Sequence, residues 1–205
     1  MNFPIFASFI LFCVLLTLYS HYSRSESEKK TKAFWEKENR ANNTRKQSLD
    51  SLSFIHIPFE TLPVIFLEEE HPDALSLSEY YQDLHSFDSL GMVNFQGQSN
   101  TDLKLRYGVG NLETLILYEQ HYSDCLIALD HIAKILSDAG YEKEAIQYLE
   151  YAIAIHSDLS STYKLLAQLY KKNQMTQKID HLKTLSNTLT DTSKLKIQKL
   201  LEEYS

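Results

Sequence analysis

The feature that most constrains the fold is a helical pattern in residues 126–172 that recurs 34 positions along the chain, from residue 132 to residue 166. The recurring pair is Ile132-Ala133 in the first copy and Leu166-Ala167 in the second. Apolar residues in both copies are spaced three and four positions apart, which places them on one face of an α-helix. A recurrence of this length indicates stacked helical hairpins, because a single hairpin cannot bury its apolar face alone.

Small residues occupy the helix between the two copies, at Gly140, Ala145 and Ala152. Small side chains allow neighbouring helices to approach closely, and the arrangement over residues 126–189 resembles the tetratricopeptide repeat, a pair of antiparallel helices repeated along the chain. The resemblance implies a mainly α fold of antiparallel helical hairpins, closed by a C-terminal capping helix. Gln174 stands where this family has glycine.

Turn residues divide the C-terminal part of the chain into helices. Gly91 predicts the end of one helix, and Asn111 is expected to cap the long helix that Ala139-Gly140 closes. Asp191 is expected to cap the last helix. That helix is predicted to turn four apolar residues inward: Leu195, Ile197, Leu200 and Leu201. The predicted helices cover residues 76–90, 111–138, 141–155, 160–172, 176–189 and 191 onward.

Residues 1–22 form a distinct apolar segment. From Phe3 to Tyr19 no residue is charged, and at a helical rise of about 1.5 Å per residue these positions span roughly 26 Å, close to the thickness of the bilayer core. A cleaved signal peptide is the alternative, but no Lys or Arg precedes the run and no A-x-A-like cleavage site follows it. The sequence therefore predicts a retained transmembrane anchor. Basic residues follow the anchor and none precedes it, which favours a cytoplasmic location for the rest of the chain.

Charge divides the remaining chain into segments. Residues 23–46 form a basic linker, with eight Lys or Arg against four Glu. Two interpretations of this linker stay open, contact with anionic lipid headgroups or a charged stalk. Residues 47–103 form an acidic arm with ten carboxylates and no Lys or Arg, which excludes binding of nucleic acid phosphates by this segment. Residues 104–205, the predicted helical domain, are nearly neutral.

The acidic arm contains apolar residues that need cover. Residues 52–59 favour a short extended run, which Pro58 limits to an edge position because proline lacks the N–H that a sheet ladder requires. No second strand is evident to pair with this run. We therefore expect a partly extended arm that packs along the helical domain through four apolar residues: Phe54, Ile57, Phe59 and Phe66.

The family resemblance also implies a binding groove, because the first helix of each tetratricopeptide hairpin lines the concave side of the array. The predicted groove residues are Asp130, Lys134, Asp138, Lys164, Gln168, Lys171 and Lys172. The second of the two helices is basic, so an acidic protein or peptide is the expected partner. The alternative is that these charges only keep the helix surfaces solvated.

Residues typical of catalytic and metal sites are present but scattered. His121 and Cys125 share a helix face four positions apart, and residues 68–73 place carboxylates around His71. Neither group has the further fixed ligands of a metal site. No HExxH, GxSxG, phosphate-binding glycine loop or CxxC motif occurs. We therefore expect Cys13 and Cys125 to act as small hydrophobic residues, and we expect no metal, cofactor or enzymatic activity.

Together these features favour an interaction protein, a helical adaptor tethered to the cytoplasmic face of a membrane that holds a protein partner near the lipid. The arrangement is similar to small uncharacterised membrane-anchored repeat proteins of bacteria. The alternative is an outward-facing accessory factor that assists the folding or assembly of envelope proteins. The side of the membrane on which the helical domain lies distinguishes the two. The sequence leaves the oligomeric state open.

Overall fold

A computed structural model describes the backbone of residues 3–204 and the side chains from residue 7 onward. The predicted mainly α fold is confirmed: eight α-helices form within the described residues, and no sheet does. The only β-type pairing there is an isolated antiparallel bridge between Ile55 and Met92. A single 3-10 turn, Val109–Asn111, precedes the longest helix of the C-terminal half. The helices are α1 (Phe3–Asn42), α2 (Ala74–Leu90), α3 (Asn100–Tyr107), α4 (Leu112–Asp138), α5 (Glu142–Ala154), α6 (Ser160–Lys172), α7 (Thr176–Ser186) and α8 (Asp191–Glu202).

The chain divides into two compact units. The first unit comprises Met1–Leu49 and Ser99–Leu112, and the second comprises Asp50–Gln98 and Glu113–Ser205. Each is described by itself below. The predicted linker, residues 23–46, belongs to the first unit and is helical through Asn42.

In the first unit, α1 packs on α3 through ion pairs. Lys104, which is buried, donates to the Glu38 carboxylate, and Thr101 Oγ1 donates to the same carboxylate at 2.6 Å. The hydrogen bond from Lys104 and then that from Thr101 lower the pKa of Glu38. A second pair joins Lys37 Nζ to Asp102 Oδ1 at 2.6 Å. These contacts fix the C-terminal end of α1 against α3.

A capping box that the sequence analysis missed starts α3. The Ser99 hydroxyl accepts from the backbone N–H of Asp102, and the Asp102 carboxylate accepts from the backbone N–H of Ser99. Each bond satisfies a donor that the helix itself leaves unpaired. The bonds from Lys37 and Ser99 also hold the pKa of Asp102 well below its usual value.

Asn111 does not act as the predicted cap. It does precede α4, but its side-chain amide donates to the backbone carbonyls of Gln47 and Tyr107, at 2.8 and 2.7 Å. Asn111 is buried, so its amide needs hydrogen-bond partners, and the carbonyls of Gln47 and Tyr107 supply them. The sequence analysis could not foresee this use, because Gln47 lies far from Asn111 in the sequence.

Gly108 is required where the first unit turns between α3 and the 3-10 turn. Its φ is +85°, in the left-handed region, and a Cβ added there would lie 2.2 Å from the backbone oxygen of Arg45. The backbone N–H of Gly108 donates to the carbonyl of Lys104 at 2.8 Å, which ends α3. A residue other than glycine at this position therefore both strains φ and forces the two backbone segments apart.

We predict that Gly108→Ala destabilises the protein by at least about 2 kcal/mol, because it adds a backbone clash to the roughly 1 kcal/mol cost of positive φ. Gly97→Ala is the matched control, since Gly97 also has a positive φ, +80°, but no atom lies within 4 Å of its added Cβ. Urea unfolding followed by circular dichroism measures both. Equal losses of stability in the two variants would contradict the close approach at Gly108.

The N-terminal part of α1 exposes apolar side chains on all sides of the helix, including Phe9, Leu11, Phe12, Leu15 and Leu18. Over the described residues, however, none of the helices combines the length and the apolar content that crossing a membrane requires. The predicted anchor, residues 1–22, includes residues 1–6, which lie outside the part of the chain whose side chains are described.

In the second unit, the acidic arm packs against the helices as expected. Ile57 is buried, and Leu62 is buried beside it in the core. The hydroxyl of Tyr148 donates to the Pro63 carbonyl at 2.8 Å. The prediction of four covered apolar residues is only partly right, because Phe66 is 83% exposed. Phe54 remains partly exposed, and its ring lies edge-on to the ring of Tyr118 with 5.2 Å between the ring centres. Phe59 is half-buried, and its ring stacks on that of His85 with 3.9 Å between the ring centres.

Helices α5 to α8 pack in succession. α5 contacts α6, α6 contacts both α7 and α8, and α7 contacts α8. Ala145 and Ala152 are fully buried, as expected for small residues at close helix contacts. Two turns between these helices place non-glycine residues at positive φ, His156 at 69° and Gln174 at 59°. Gln174 therefore adopts a left-handed backbone conformation that glycine more commonly occupies at the end of a helix.

One of the four residues predicted to face inward from α8 does not do so. Ile197 and Leu201 are fully buried and Leu200 is half-buried, but Leu195 is 68% exposed. Residues two positions apart lie on nearly opposite sides of an α-helix, so Leu195 and Ile197 cannot both face the core. Ile197 faces the core, on the same side of α8 as Leu201.

Candidate interaction surface

The predicted groove residues lie on two helices of the second unit. α4 carries Asp130, Lys134 and Asp138, and α6 carries the remaining four: Lys164, Gln168, Lys171 and Lys172. Asp130 is half-buried and the other six are exposed.

Asp130 and Lys172 pair with side chains of neighbouring helices. The Thr162 hydroxyl donates to Asp130 Oδ1 at 2.8 Å, which joins α4 to α6. Lys172 forms an ion pair with Glu142, and Asn173 Nδ2 donates to the same carboxylate at 3.0 Å, which joins α6 to α5. Both hydrogen bonds lower the pKa of Glu142, with Lys172 as the larger cause. The sequence analysis had no signal for either pairing, because each partner lies about thirty residues away.

Three of the predicted residues form a continuous stripe on α6. Lys164, Gln168 and Lys171 are spaced four and three positions apart and therefore share one face of the helix. Gln168 Nε2 donates to the Tyr204 hydroxyl at 3.3 Å, and Lys171 Nζ lies 5.9 Å from the centre of the Tyr204 ring. The C-terminal end of α8 is thus beside the C-terminal end of α6.

The opposite ends of α6 and α8 also meet. Ser193 Oγ, at the start of α8, lies 3.4 Å from a carboxylate oxygen of Asp158, which precedes α6. Because both pairs of like ends are adjacent, α6 and α8 run parallel. Parallel packing brings the exposed lysines of α8, Lys196 and Lys199, onto a helix adjacent to the stripe on α6.

The two helices and α7 together carry a strong positive charge. Residues 160–201 contain eight Lys and only two acidic residues. Lys172 and Lys178 pair with the carboxylates of Glu142 and Glu150. Within the described residues, no ion pair involves Lys164, Lys196 or Lys199. Sequence reasoning found the lysines of α6 but missed those of α8, although the lysine spacing was visible there.

The His121 and Cys125 pair does not form a reactive site. Cys125 is completely buried, and this burial, with a smaller effect of the nearby Asp88 charge, raises the pKa of its thiol to about 12. His121 Nδ1 lies 3.0 Å from the carbonyl oxygen of Gly91, so that ring nitrogen is engaged with the backbone. A buried thiol with a raised pKa is not a nucleophile at neutral pH. Among the described residues, no group of three His, Cys, Asp or Glu side chains is arranged to hold a metal ion.

We predict that Cys125 is unreactive in the folded protein. In the Cys13→Ser variant, where Cys125 is the only cysteine, a thiol reagent should titrate no thiol until guanidinium unfolds the chain. As the control, Ser123→Cys in the same background adds a thiol on the exposed face of α4, which should react at once. Rapid reaction of Cys125 in native buffer would show that the thiol is accessible and would contradict its burial.

Comparison with known proteins places the chain in no family: no family model matches it, and neither a curated protein nor a solved structure matches it. Residues 3–204 form an all-helical protein of eight helices, the last three of which carry eight lysines.

Proposed function

We propose that this chain is a membrane-tethered interaction module that binds an acidic protein or peptide on the lysine-rich face of α6 and α8. The observation that carries the proposal is the charge of residues 160–201, with eight Lys against two acidic residues. The module acts by binding rather than by catalysis. A concentrated positive face attracts acidic partners and accelerates their association, more strongly at low salt.

The exposed members of this face suit a partner that lies along the helices. Lys164 and Lys171 project from α6, and Lys196 and Lys199 project from the neighbouring, parallel α8. Leu195, the exposed leucine of α8, adds an apolar contact beside Lys196 and Lys199. A peptide that combines carboxylates with one or two apolar side chains matches these groups.

A tetratricopeptide-like arrangement of α5 to α8 is part of the proposal. The parallel packing of α6 and α8, with α7 between them in the chain, supports stacked helical pairs. Positive φ at Gln174 and buried small residues at Ala145 and Ala152 support it further. In such an array, α4, α6 and α8 line one side, and α8 closes its end.

We predict that reversing two charges on α6 weakens binding of an acidic ligand. The probe is a short fluorescein-labelled peptide rich in Glu and Leu, and the measurement is fluorescence anisotropy at low and at physiological salt. The double variant Lys164→Glu with Lys171→Glu should raise Kd at least about tenfold, because attractive contacts become repulsive ones worth about 1.4 kcal/mol or more in total.

The matched control is Arg106→Glu with Lys143→Glu, which changes the net charge equally at exposed positions on α3 and α5. This control should change Kd by less than about twofold at physiological salt, because neither residue belongs to the proposed binding face and salt weakens the effect of net charge alone. Equal losses in the two double variants would show that binding follows net charge alone, and the lysine-rich face would lose its role.

The tether in this proposal is the N-terminal part of α1. Phe9, Ile10, Leu11, Phe12, Val14 and Leu18 are exposed, and at about 100° per residue they surround the helix axis rather than forming one stripe. A helix that is apolar on all sides is typical of a protein core or a lipid environment, not of a water-exposed surface. We therefore propose that this end of α1 enters the apolar layer of a membrane.

The sequence that follows this apolar end supports a cytoplasmic location for the helices. Arg24, Lys29, Lys30 and Lys32 come directly after it, and such clusters of positive charge are retained on the cytoplasmic side. All four side chains are exposed. The ion pairs of Arg24 with Glu28, of Lys29 with Glu26 and of Lys32 with Glu36 are surface pairs of little energetic weight. The cluster therefore remains available to anionic headgroups.

We predict that Leu11→Glu with Leu15→Glu abolishes attachment to lipid. The measurement is co-flotation of the full-length protein with vesicles of phosphatidylcholine and phosphatidylglycerol, because a carboxylate in the hydrocarbon layer costs several kcal/mol. Leu75→Glu with Leu195→Glu, two comparably exposed leucines of the second unit, is the control and should float like the parent. If the α1 variant also floats, attachment by α1 is wrong.

A further inference from the structure

The most exposed large apolar side chain that lies outside α1 is Phe66, in the acidic arm. It is 83% exposed, and Val64, two positions before it, is half exposed. A phenylalanine left this open in water is unfavourable unless a partner covers it, since an aromatic ring buries a large area on docking. Three glutamates follow Phe66 closely, at positions 68 to 70, and all three are exposed.

The fold holds Phe66 in this position. Residues 63–68 contain neither turn nor bend. The backbone N–H of Ile65 donates to the Tyr81 hydroxyl at 3.2 Å, and Ile65 and Leu67 pack against the core of the second unit. Side chains alternate between the two sides of a chain that runs without a bend, so the residue between Ile65 and Leu67 faces away from the core. The packing of Ile65 and Leu67 therefore fixes the Phe66 side chain on the solvent side of the arm.

The second unit also contains an apolar cavity that lies open between α5, α6 and α7. Its volume is about 320 Å³. This volume is near the lower end of the roughly 300–1,000 Å³ typical of ligand pockets, so it suits one large side chain. The apolar lining includes Ile153, Ala154, Leu166, Leu182 and Leu185. Ala154 is exposed at the end of α5, and its small side chain leaves the cavity accessible.

The polar residues around this cavity belong to the positive part of the unit. Lys178 and His181 of α7 border it. The one carboxylate there, Glu150, already accepts from Lys178 Nζ and from the Tyr170 hydroxyl, each at 2.7 Å. Its charge is thereby offset, and α6 to α8 as a whole carry eight Lys against three acidic residues. An apolar group with carboxylates beside it is the ligand that such a cavity favours.

We propose that Phe66 of one copy of this chain occupies the cavity between α5, α6 and α7 of a second copy. Glu68 follows Phe66 by two residues, roughly 7 Å of extended chain. The glutamates would then lie over the lysine-bearing rim while the aromatic ring fills the apolar cavity. Phe66 and the cavity are different surfaces, so the contact is heterologous: each copy offers both, and copies join head to tail.

The test uses the full-length chain in a non-ionic detergent, with fluorophores at the C-terminus and energy transfer between copies as the readout. The parent should associate in a concentration-dependent way. Phe66→Ala removes the ring, and Ala154→Trp fills the cavity from an exposed position, so each variant alone should associate at least about tenfold more weakly. Leu90→Ala, which removes another exposed apolar side chain of the unit, is the control and should associate like the parent.

The decisive measurement mixes the two defective variants. Phe66→Ala keeps an open cavity and Ala154→Trp keeps a free Phe66, so the mixture should restore energy transfer and stop at a one-to-one complex. Circular dichroism verifies that both variants are folded. Equal transfer in the mixture and in each variant alone would overturn the proposal, including the case in which the copies associate through α1. These variants leave Lys164 and Lys171 unchanged, so this result and the acidic-peptide result stand separately.

Discussion

The second unit depends on tyrosine hydroxyls that satisfy carbonyl groups outside the helices. Tyr148 and Tyr151 donate to the carbonyls of Pro63 and His56 in the arm, at 2.8 and 3.0 Å. The Tyr122 hydroxyl donates to the carbonyl of Ile155, in the turn that follows α5, at 2.9 Å. Chain outside helices and sheets has no regular partners for its backbone, and a buried carbonyl without one costs about 1–3 kcal/mol. These hydroxyls allow a long non-helical segment to be packed against helices.

The positions of these tyrosines determine the course of the arm. Tyr148 and Tyr151 are three residues apart on α5 and therefore share one face, so the arm must follow that face to receive both bonds. Burial raises the pKa of both hydroxyls above its usual value, which keeps them protonated as donors. The arm is thus held at His56 and Pro63, and the exposed Phe66 follows only three residues after the second of these points. An exposed aromatic residue on such a fixed backbone loses less conformational entropy on binding than one on a mobile loop.

The local part of this structure was predictable from the sequence, and the non-local part was not. α6 covers the predicted residues 160–172 because its apolar spacing and flanking turn residues are local signals. α1 continues through the predicted linker although that segment has no apolar periodicity, since tertiary contacts such as the ion pair of Glu38 with Lys104 hold its end. The same limit applies to the candidate site. The lysine stripe follows from helical spacing, but the use of Lys172 within the fold depends on Glu142, which no local pattern connects to it.

The distribution of charge connects the fold to its proposed binding roles. Residues 113–158 have nine acidic residues and two lysines, whereas residues 160–201 have two acidic residues and eight lysines. The net charge of −7 is therefore the sum of a positive segment, residues 160–201, and an acidic remainder. Where the two parts touch inside the unit, single pairs such as Lys178 with Glu150 hold adjacent helices together. The remaining lysines of the positive segment lie on α6 to α8, and much of the acidic excess lies on the arm, which Tyr148 and Tyr151 hold against α5. In the two proposals, the same electrostatic attraction therefore serves both an acidic ligand and the acidic, aromatic segment of a second copy.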